Sequence, residues 1–164
     1  LDPDLPEAHF RLALGYELLD KRDEAEAEYK KAAETYKKYL DENDGDAEAH
    51  YNLGQIYANL GQYSDAIREY RAATKLKEDD PDMYYDLGVA HTKLAQYDAA
   101  AVAFKKSLEI DPDYYRAQDG LDRFVGQCAR IVVAAVLHHT EELSRSEQSR
   151  VGLSSPTKGV QSNE

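Results

Sequence analysis

The sequence predicts an all-α fold, an α-solenoid of three helix–turn–helix units with a capping helix after the third. The first observation is internal repetition, because residues 46–112 resemble themselves after a shift of 34 residues. Such a period indicates units that bury their apolar faces against neighbouring units rather than in one globular core. The second observation is the helical spacing of apolar residues within each repeated segment. The residues that coincide are Leu53 with Leu87, Gly54 with Gly88, Leu60 with Leu94, Tyr63 with Tyr97, Ala66 with Ala100 and Tyr70 with Phe104.

The two clearest units share a short motif. The second unit has His50-x-x-Leu53-Gly54-x-x-Tyr57 and then Ala66-x-x-x-Tyr70. The third has Tyr84-x-x-Leu87-Gly88-x-x-His91, then Ala100-x-x-x-Phe104 and Pro112. This pattern resembles the tetratricopeptide repeat (TPR), although the chain has no Trp, and Glu78 stands where the second unit's closing Pro is expected. The resemblance implies a right-handed solenoid whose first helices line a concave peptide-binding groove.

A first unit precedes these two, at an offset of 41 residues from the second. It matches the second unit at His9, Leu12, Tyr16, Leu19, Ala25, Tyr29 and Ala32. The seven extra residues follow Ala33 in a run without Gly or Pro. We therefore expect the second helix of this unit to be about two turns longer than usual, on the order of 10 Å.

The end of this long helix carries Tyr36, Tyr39 and Leu40, for which two interpretations stand. In one, these residues form an accessory docking ridge. In the other, which we favour, they lengthen the surface that packs against the next repeat.

We expect further structure at both ends of the three units. Leu1-Asp2-Pro3-Asp4 resembles Ile110-Asp111-Pro112-Asp113, which indicates the tail of a preceding repeat in a longer array. After the third unit, Asp111 and Pro112 predict a capped helix start. The expected division is residues 1–5 (tail of a preceding repeat), 6–45 (unit 1), 46–80 (unit 2), 81–111 (unit 3), 112–143 (capping helix or decayed fourth unit) and 144–164 (disordered tail).

The composition narrows the class of partner. The net charge of −12 leaves no basic surface for phosphates, so we expect no nucleic-acid partner. The apolar run 131–137 has seven residues, against the ~20 that a membrane span needs, so we expect no membrane partner. These observations predict a soluble, cytoplasmic protein, although the acidity fits either a basic ligand or adaptation to high salt.

No pattern for catalysis, a cofactor or a metal stands out. The chain has no Gly-rich phosphate loop, no nucleophile elbow and no Cys/His metal spacing. The segment His138-His139 with Glu141-Glu142 is interpreted as a polar helix end, because adjacent His residues point to different helix faces. We therefore expect no enzymatic activity, no cofactor and no metal.

The candidate site is the groove that the resemblance places on the first helix of each unit. Repeat alignment assigns to it Phe10, Leu14, Glu17, Glu48, Tyr51, Asn52, Gln55, Asn59, Asp82, Tyr85, Asp86, Val89 and Lys93. Glu7 is a further groove position of the first unit, and Arg116, Asp119 and Arg123 extend the groove. Phe10, Tyr51 and Tyr85 occupy one repeat position, and these rings either anchor a ligand or pack between neighbouring repeats.

One group within the family clamps the carboxyl-terminal tails of heat-shock chaperones with Lys, Asn and Arg side chains. The corresponding residues here are Phe10, Leu14, Asn52, Asp82 and Asp86. Two acids stand where cations would meet a carboxylate, so we do not expect a chaperone-tail clamp.

The sequence therefore predicts a non-enzymatic scaffold that binds a basic peptide segment with an apolar or aromatic anchor. Such binding should weaken with salt. Two alternatives remain open. One is a homo-oligomeric self-assembly module that stacks through the solenoid ends, and the other is the regulatory arm of a larger enzyme.

Overall fold

The computed structural model describes residues 5–123 and 126, which form consecutive helices without a β-strand. The helices are α1 (Pro6–Leu18), α2 (Arg22–Glu42), α3 (Ala47–Asn59), α4 (Tyr63–Leu76), α5 (Pro81–Lys93), α6 (Tyr97–Ile110) and α7 (115–123). Through α6, each helix packs mainly against the helices that precede and follow it in the chain. The predicted all-α repeat fold is therefore confirmed, with α1–α2, α3–α4 and α5–α6 as its helix pairs.

In each helix pair, the turn between the two helices contains a residue in the left-handed region of backbone conformation. These residues are Asp20, Gly61 and Ala95, with φ of 54°, 73° and 55°. They occupy one repeat position, so the repeat imposes the same turn whatever side chain is present. Gly61 adopts this conformation without steric cost, whereas a Cβ there costs about 1–2 kcal/mol.

A buried aromatic ring forms the centre of each unit. Tyr70 on α4 packs against Gly54 on α3, and Phe104 on α6 packs against Gly88 on α5. A Cβ built on either glycine would lie 2.6 Å from the Cδ1 atom of the facing ring. The absence of a side chain therefore lets the ring lie directly on the backbone of the first helix.

The helix α2 has 21 residues, against 14 in α4 and in α6. The additional turns bury Tyr36 and Leu40 in the core, while Tyr39 is exposed and its hydroxyl donates to Asp46 Oδ2 at 2.9 Å. Asp46 is also the N-cap of α3, where its carboxylate accepts from the backbone N–H of Ala49. Tyr36 and Leu40 thus support packing rather than a docking ridge.

The start of α7 differs from the expectation that Pro112 opens the helix. Residues 112–113 form a turn, in which Asp111 Oδ1 accepts from the backbone N–H of Asp113, and α7 begins at residue 115. The 34-residue shift explains the error, since it relates Asp111 to Lys77 and residue 115 to Pro81, where α5 begins. Pro112 therefore corresponds to Glu78 in the preceding turn.

The described part of α7 covers the third unit. Ala117 is buried with Ala100 and Phe104, and Leu121 packs against this cluster. Several predictions fall on residues outside the described part of the chain. These are residues 1–4 of the predicted tail of a preceding repeat (1–5), the later part of the capping region, the paired His138 and His139, and the C-terminal tail.

Glycine substitutions test the contact between ring and backbone. We expect Gly54→Ala to lower the free energy of unfolding by about 1–3 kcal/mol, because its Cβ overlaps the buried ring of Tyr70. Gly15→Ala is the matched control in α1, where nothing lies within 4 Å of the new Cβ. It should raise stability by about 0.5–1 kcal/mol through helix propensity. Urea unfolding measures both, and equal effects of the two variants would contradict the proposed role of Gly54.

Candidate functional site

A cavity of about 430 Å³ lies among the first helices of all three units. Leu14, Gln55 and Val89 occupy one repeat position on α1, α3 and α5, and all three line the cavity. The repeat therefore brings three residues that are far apart in sequence to one place. The remaining lining residues are Phe10, Tyr51, Ala58, Asn59, Tyr63, Tyr70, Asp86, Ala90 and Arg116.

Asp86 is the carboxylate of this cavity, and α3 supplies its hydrogen-bond partners. The hydroxyl of Tyr51 donates to Asp86 Oδ2 at 2.7 Å, and Gln55 Nε2 donates to the same oxygen at 3.4 Å. Both bonds cross from the second unit to the third. They hold the carboxylate in place and leave Oδ1 without a donor among the residues that the structure describes.

Burial has the largest effect on the pKa values of Asp86 and Tyr51. It raises the pKa of Asp86, although the bonds from Tyr51 and Gln55 and the charge of Arg116 act in the opposite direction. Burial also raises the pKa of the Tyr51 phenol, and the neighbouring charge of Asp86 adds to this effect. The phenol of Tyr51 is therefore a neutral donor at physiological pH.

The aromatic residues at the repeated first-helix position pack within their own units. Phe10 lies 6.1 Å from Tyr29, Tyr51 lies 5.8 Å from Tyr70, and Tyr85 lies 5.7 Å from Phe104, measured between ring centroids. Each ring thus rests on the central aromatic residue of the second helix in its unit. Phe10 and Tyr51 nevertheless line the cavity, so these two rings have both structural contacts and access to the groove.

Tyr85 has a different environment, because α7 covers it. The guanidinium of Arg116 lies 4.4 Å from the centroid of the Tyr85 ring, a distance typical of cation–π contact. Tyr114 packs against the same ring at 5.7 Å, and its hydroxyl donates to Asp82 Oδ1. A cation from the chain itself therefore occupies the ring surface of the third unit.

The other predicted groove residues lie outside the central cavity. Glu48 and Asn52 line a second cavity of about 240 Å³ beside Tyr36, whose hydroxyl accepts from Asn52 Nδ2 at 3.2 Å. Glu17 lines a third cavity, of about 280 Å³, together with Asn59. Asp82, Tyr85 and Lys93 line none of these three, and Lys93 is exposed in the last turn of α5.

Sequence reasoning missed four lining residues, namely Ala58, Tyr63, Tyr70 and Ala90. The sequence motif identifies Tyr70 only as the equivalent of Phe104, and its ring is largely buried beside the cavity. The signal for Ala58 and Ala90 is their small size next to Asn59 and Val89, since a small side chain leaves space at the surface of a helix.

Two negative observations apply to the described residues alone. Residues 5–123 and 126 hold no group of three or more His, Cys, Asp or Glu side chains arranged for a metal ion. In the same part of the chain, every helix is too short or too polar to cross a membrane.

Comparison with protein families defines the class of this repeat. A TPR repeat profile matches residues 54–95, and tetratricopeptide repeat profiles match residues 6–39, 35–68 and 81–114. Together these matches run from residue 6 to residue 114. The chain belongs to the tetratricopeptide repeat family.

Solved structures share this fold at low sequence identity. The crystal structure of MamA has a TM-score of 0.63 and 24% identity, over 91% of this chain and 82% of that one. The first TPR of Spaghetti (RPAP3) bound to the HSP90 peptide SRMEEVD has a TM-score of 0.62 and 19% identity. This match covers 79% of this chain and 97% of that one. The second TPR domain of human RPAP3 with the HSP70 peptide SGPTIEEVD has a TM-score of 0.58 and 19% identity. This match covers 73% of this chain and 98% of that one. No curated protein matches the sequence.

Because the pKa of Asp86 is raised, the effect of Asp86→Asn on the free energy of unfolding should depend on pH. We expect this variant to be more stable than the wild type at neutral pH, because it removes a buried charge while its amide oxygen can still accept from Tyr51. A folded-state pKa above the unfolded value means that protonation stabilises the fold, increasingly as the pH falls through the folded pKa. The advantage of the variant should therefore shrink toward acidic pH.

Urea unfolding at several pH values, followed by circular dichroism, measures this difference. Asp98→Asn is the matched control, because Asp98 is exposed in the first turn of α6. We expect no gain in that variant, since an acid there complements the helix dipole. A loss of stability in Asp86→Asn at neutral pH would show that the bonds from Tyr51 and Gln55 outweigh burial.

Proposed function

We propose that this protein is a non-catalytic scaffold that binds a peptide segment of another protein in the groove formed by α1, α3 and α5. The observation that carries this proposal is the central cavity, which combines apolar walls with fixed polar groups. Such a combination is typical of sites where a few polar contacts orient a ligand that is otherwise held by apolar burial. The repeat position shared by Leu14, Gln55 and Val89 makes the cavity continuous across three units.

The charge of the groove favours a basic segment. The second cavity is lined by three acids and no cation, the third by two acids and one cation, and the central cavity by one of each. These residues are Glu7, Asp46 and Glu48 in the second, Glu17, Glu26 and Arg22 in the third, and Asp86 and Arg116 in the central cavity. The chain as a whole carries a net charge of −12, so a basic partner is also attracted at long range. Phe10, Leu14 and Val89 supply apolar surface beside Asp86, which suits an aliphatic or aromatic anchor next to a basic residue.

The same charges disfavour the acidic chaperone tails that two structural neighbours hold. At the five positions compared with the clamp, this chain has no Lys or Arg and has two carboxylates, Asp82 and Asp86. A peptide carboxylate placed beside them would meet like charge instead of a cation. We propose on this basis that the ligand differs from those of the RPAP3 domains.

The ionisable groups of the cavity suit binding more than proton transfer. Burial raises the pKa of both Tyr51 and Tyr70, and this disfavours the phenolate form that a base requires. Asp86 already accepts two hydrogen bonds that fix its position. We infer a role in recognition, without a chemical step.

Peptide-display selection against the purified domain tests the function. We expect enrichment of basic peptides that contain an apolar or aromatic residue, and weaker binding at high salt, because charges are screened over ~10 Å at ~0.1 M. The acidic peptide SRMEEVD serves as a competitor and should not displace the selected peptides.

Leu14→Ser and Leu18→Ser form a matched pair of variants for this selection. Both residues are exposed on α1, but Leu14 lines the central cavity and Leu18 does not. Leu14→Ser should weaken binding several-fold through lost apolar contact, and Leu18→Ser should not. Equal effects of the two variants, or displacement by SRMEEVD, would contradict the proposed site.

A second candidate function is self-assembly through the outer face of α1. Leu12 is 47% exposed, whereas its repeat equivalents Leu53 and Leu87 are 2% and 8% exposed because α2 and α4 precede them. Leu19 is 67% exposed on the same unit. Among the described residues, Leu12 is thus an exposed apolar side chain whose equivalents in the later units are buried.

Mass measurement over a range of protein concentrations tests this second proposal. Assembly through α1 predicts a mass that rises with concentration and returns to the monomer value in the double variant Leu12→Ser, Leu19→Ser. The control is Val102→Ser, which changes an exposed apolar residue on α6. A constant monomer mass for the wild type would exclude assembly.

A further inference from the structure

The hydrogen bonds of the central cavity leave three oxygen acceptors unused. Gln55 Nε2 donates to Asp86, and Asn59 Nδ2 donates to the hydroxyl of Tyr29 at 3.0 Å. These bonds assign the nitrogen and therefore also the oxygen of each side-chain amide. Among the described residues, no donor reaches Gln55 Oε1, Asn59 Oδ1 or Asp86 Oδ1. All three residues line the same cavity.

The charges around Asp86 are unbalanced. Two neighbouring charges act on the pKa of Asp86: the carboxylate of Asp82 raises it and the guanidinium of Arg116 lowers it. The guanidinium of Arg116 stacks on Tyr85 and forms no ion pair with Asp86. Asp86 and Arg116 both line the cavity, whereas Asp82 lies outside it and adds a second negative charge near Asp86. Among the described residues, no donor reaches Asp86 Oδ1.

The walls of the cavity suit a long aliphatic stem. Leu14 and Val89 contribute branched apolar side chains, and Phe10, Tyr51 and Tyr70 contribute aromatic rings. An apolar stem can lie along such walls while its charged end reaches a polar group. Aromatic rings near the charged end add favourable cation–π interaction.

We propose that the central cavity binds the side chain of a lysine from the partner protein, with the ammonium group at Asp86. This inference rests on the proposed function and specifies one residue of the ligand. An ammonium group has three N–H donors and no acceptor, so it suits a cavity whose unused polar atoms are oxygen acceptors. An arginine suits the cavity less well, because its paired donors favour both oxygens of a carboxylate and Oδ2 already accepts from Tyr51.

A small lysine derivative tests the subsite without a selected peptide. The compound is Nα-acetyl-lysine methylamide, and its neutral counterpart carries a second acetyl group on Nε. We expect the charged compound to shift the side-chain amide resonances of Gln55 and Asn59 in a saturable NMR titration. The neutral compound should not shift them, because acetylation removes the charge and two of the three donors.

Three variants test which side chains of the protein bind the ammonium group of the charged compound. Asp86→Asn should weaken binding of the charged compound about tenfold or more, since a hydrogen bond to a charged group is lost. Gln55→Met removes a second acceptor and should weaken binding by a smaller factor. Asp98→Asn makes the same change of charge at an exposed site outside the cavity and should leave the affinity unchanged.

Several results would overturn the proposal. These are an absence of saturable shifts in the wild type, equal affinity in Asp86→Asn and the wild type, and tighter binding of the corresponding arginine derivative than of the lysine derivative. Failure of the groove function is distinguishable, because peptide selection would then fail while the lysine derivative still binds. Selected peptides that bind equally well after lysine acetylation would instead overturn this inference alone.

Discussion

The contact between an aromatic ring of one helix and the bare backbone of its partner determines the geometry of the later units. Gly54 and Gly88 allow the rings of Tyr70 and Phe104 to lie on α3 and α5 at a distance that a Cβ would forbid. This close approach fixes the register of each helix pair. It also supports Tyr51 and Tyr85, whose rings rest on Tyr70 and Phe104.

The regular backbone places different chemistry at equivalent positions. A shift of 34 residues relates Asn52 on α3 to Asp86 on α5, and Asp86 to Gly120 on α7. Asn52 donates to Tyr36, Asp86 accepts from Tyr51, and Gly120 lies against the ring of Phe104, which a Cβ would approach to 2.9 Å. The same backbone position therefore occurs three times. The side chain at each occurrence determines whether the residue contacts a neighbouring helix or lines a cavity. Only local differences in sequence give this solenoid a defined site.

The fold was predictable because its signal is periodic, whereas the site depends on contacts between units. A shift of 34 residues aligns Leu53 with Leu87 and Gly54 with Gly88, and helix pairs follow from that alone. The same alignment assigned Asp86 to the groove, but not its bond with Tyr51, because that bond depends on the packing distance between α3 and α5. The Asp-Pro pattern was misleading at Pro112, because it suggested a helix start where the repeat register places a turn.

The ionisation of Asp86 links stability to binding. Because burial raises its pKa, the charged form of Asp86 opposes folding at neutral pH, while Tyr51 and Gln55 offset only part of that effect. A bound cation would interact with the charged form and recover free energy that the free protein lacks. A ligand that binds only the folded state then stabilises it in proportion to the logarithm of its concentration relative to Kd. The carboxylate that destabilises the free domain is, on this argument, the group through which a basic partner would stabilise it.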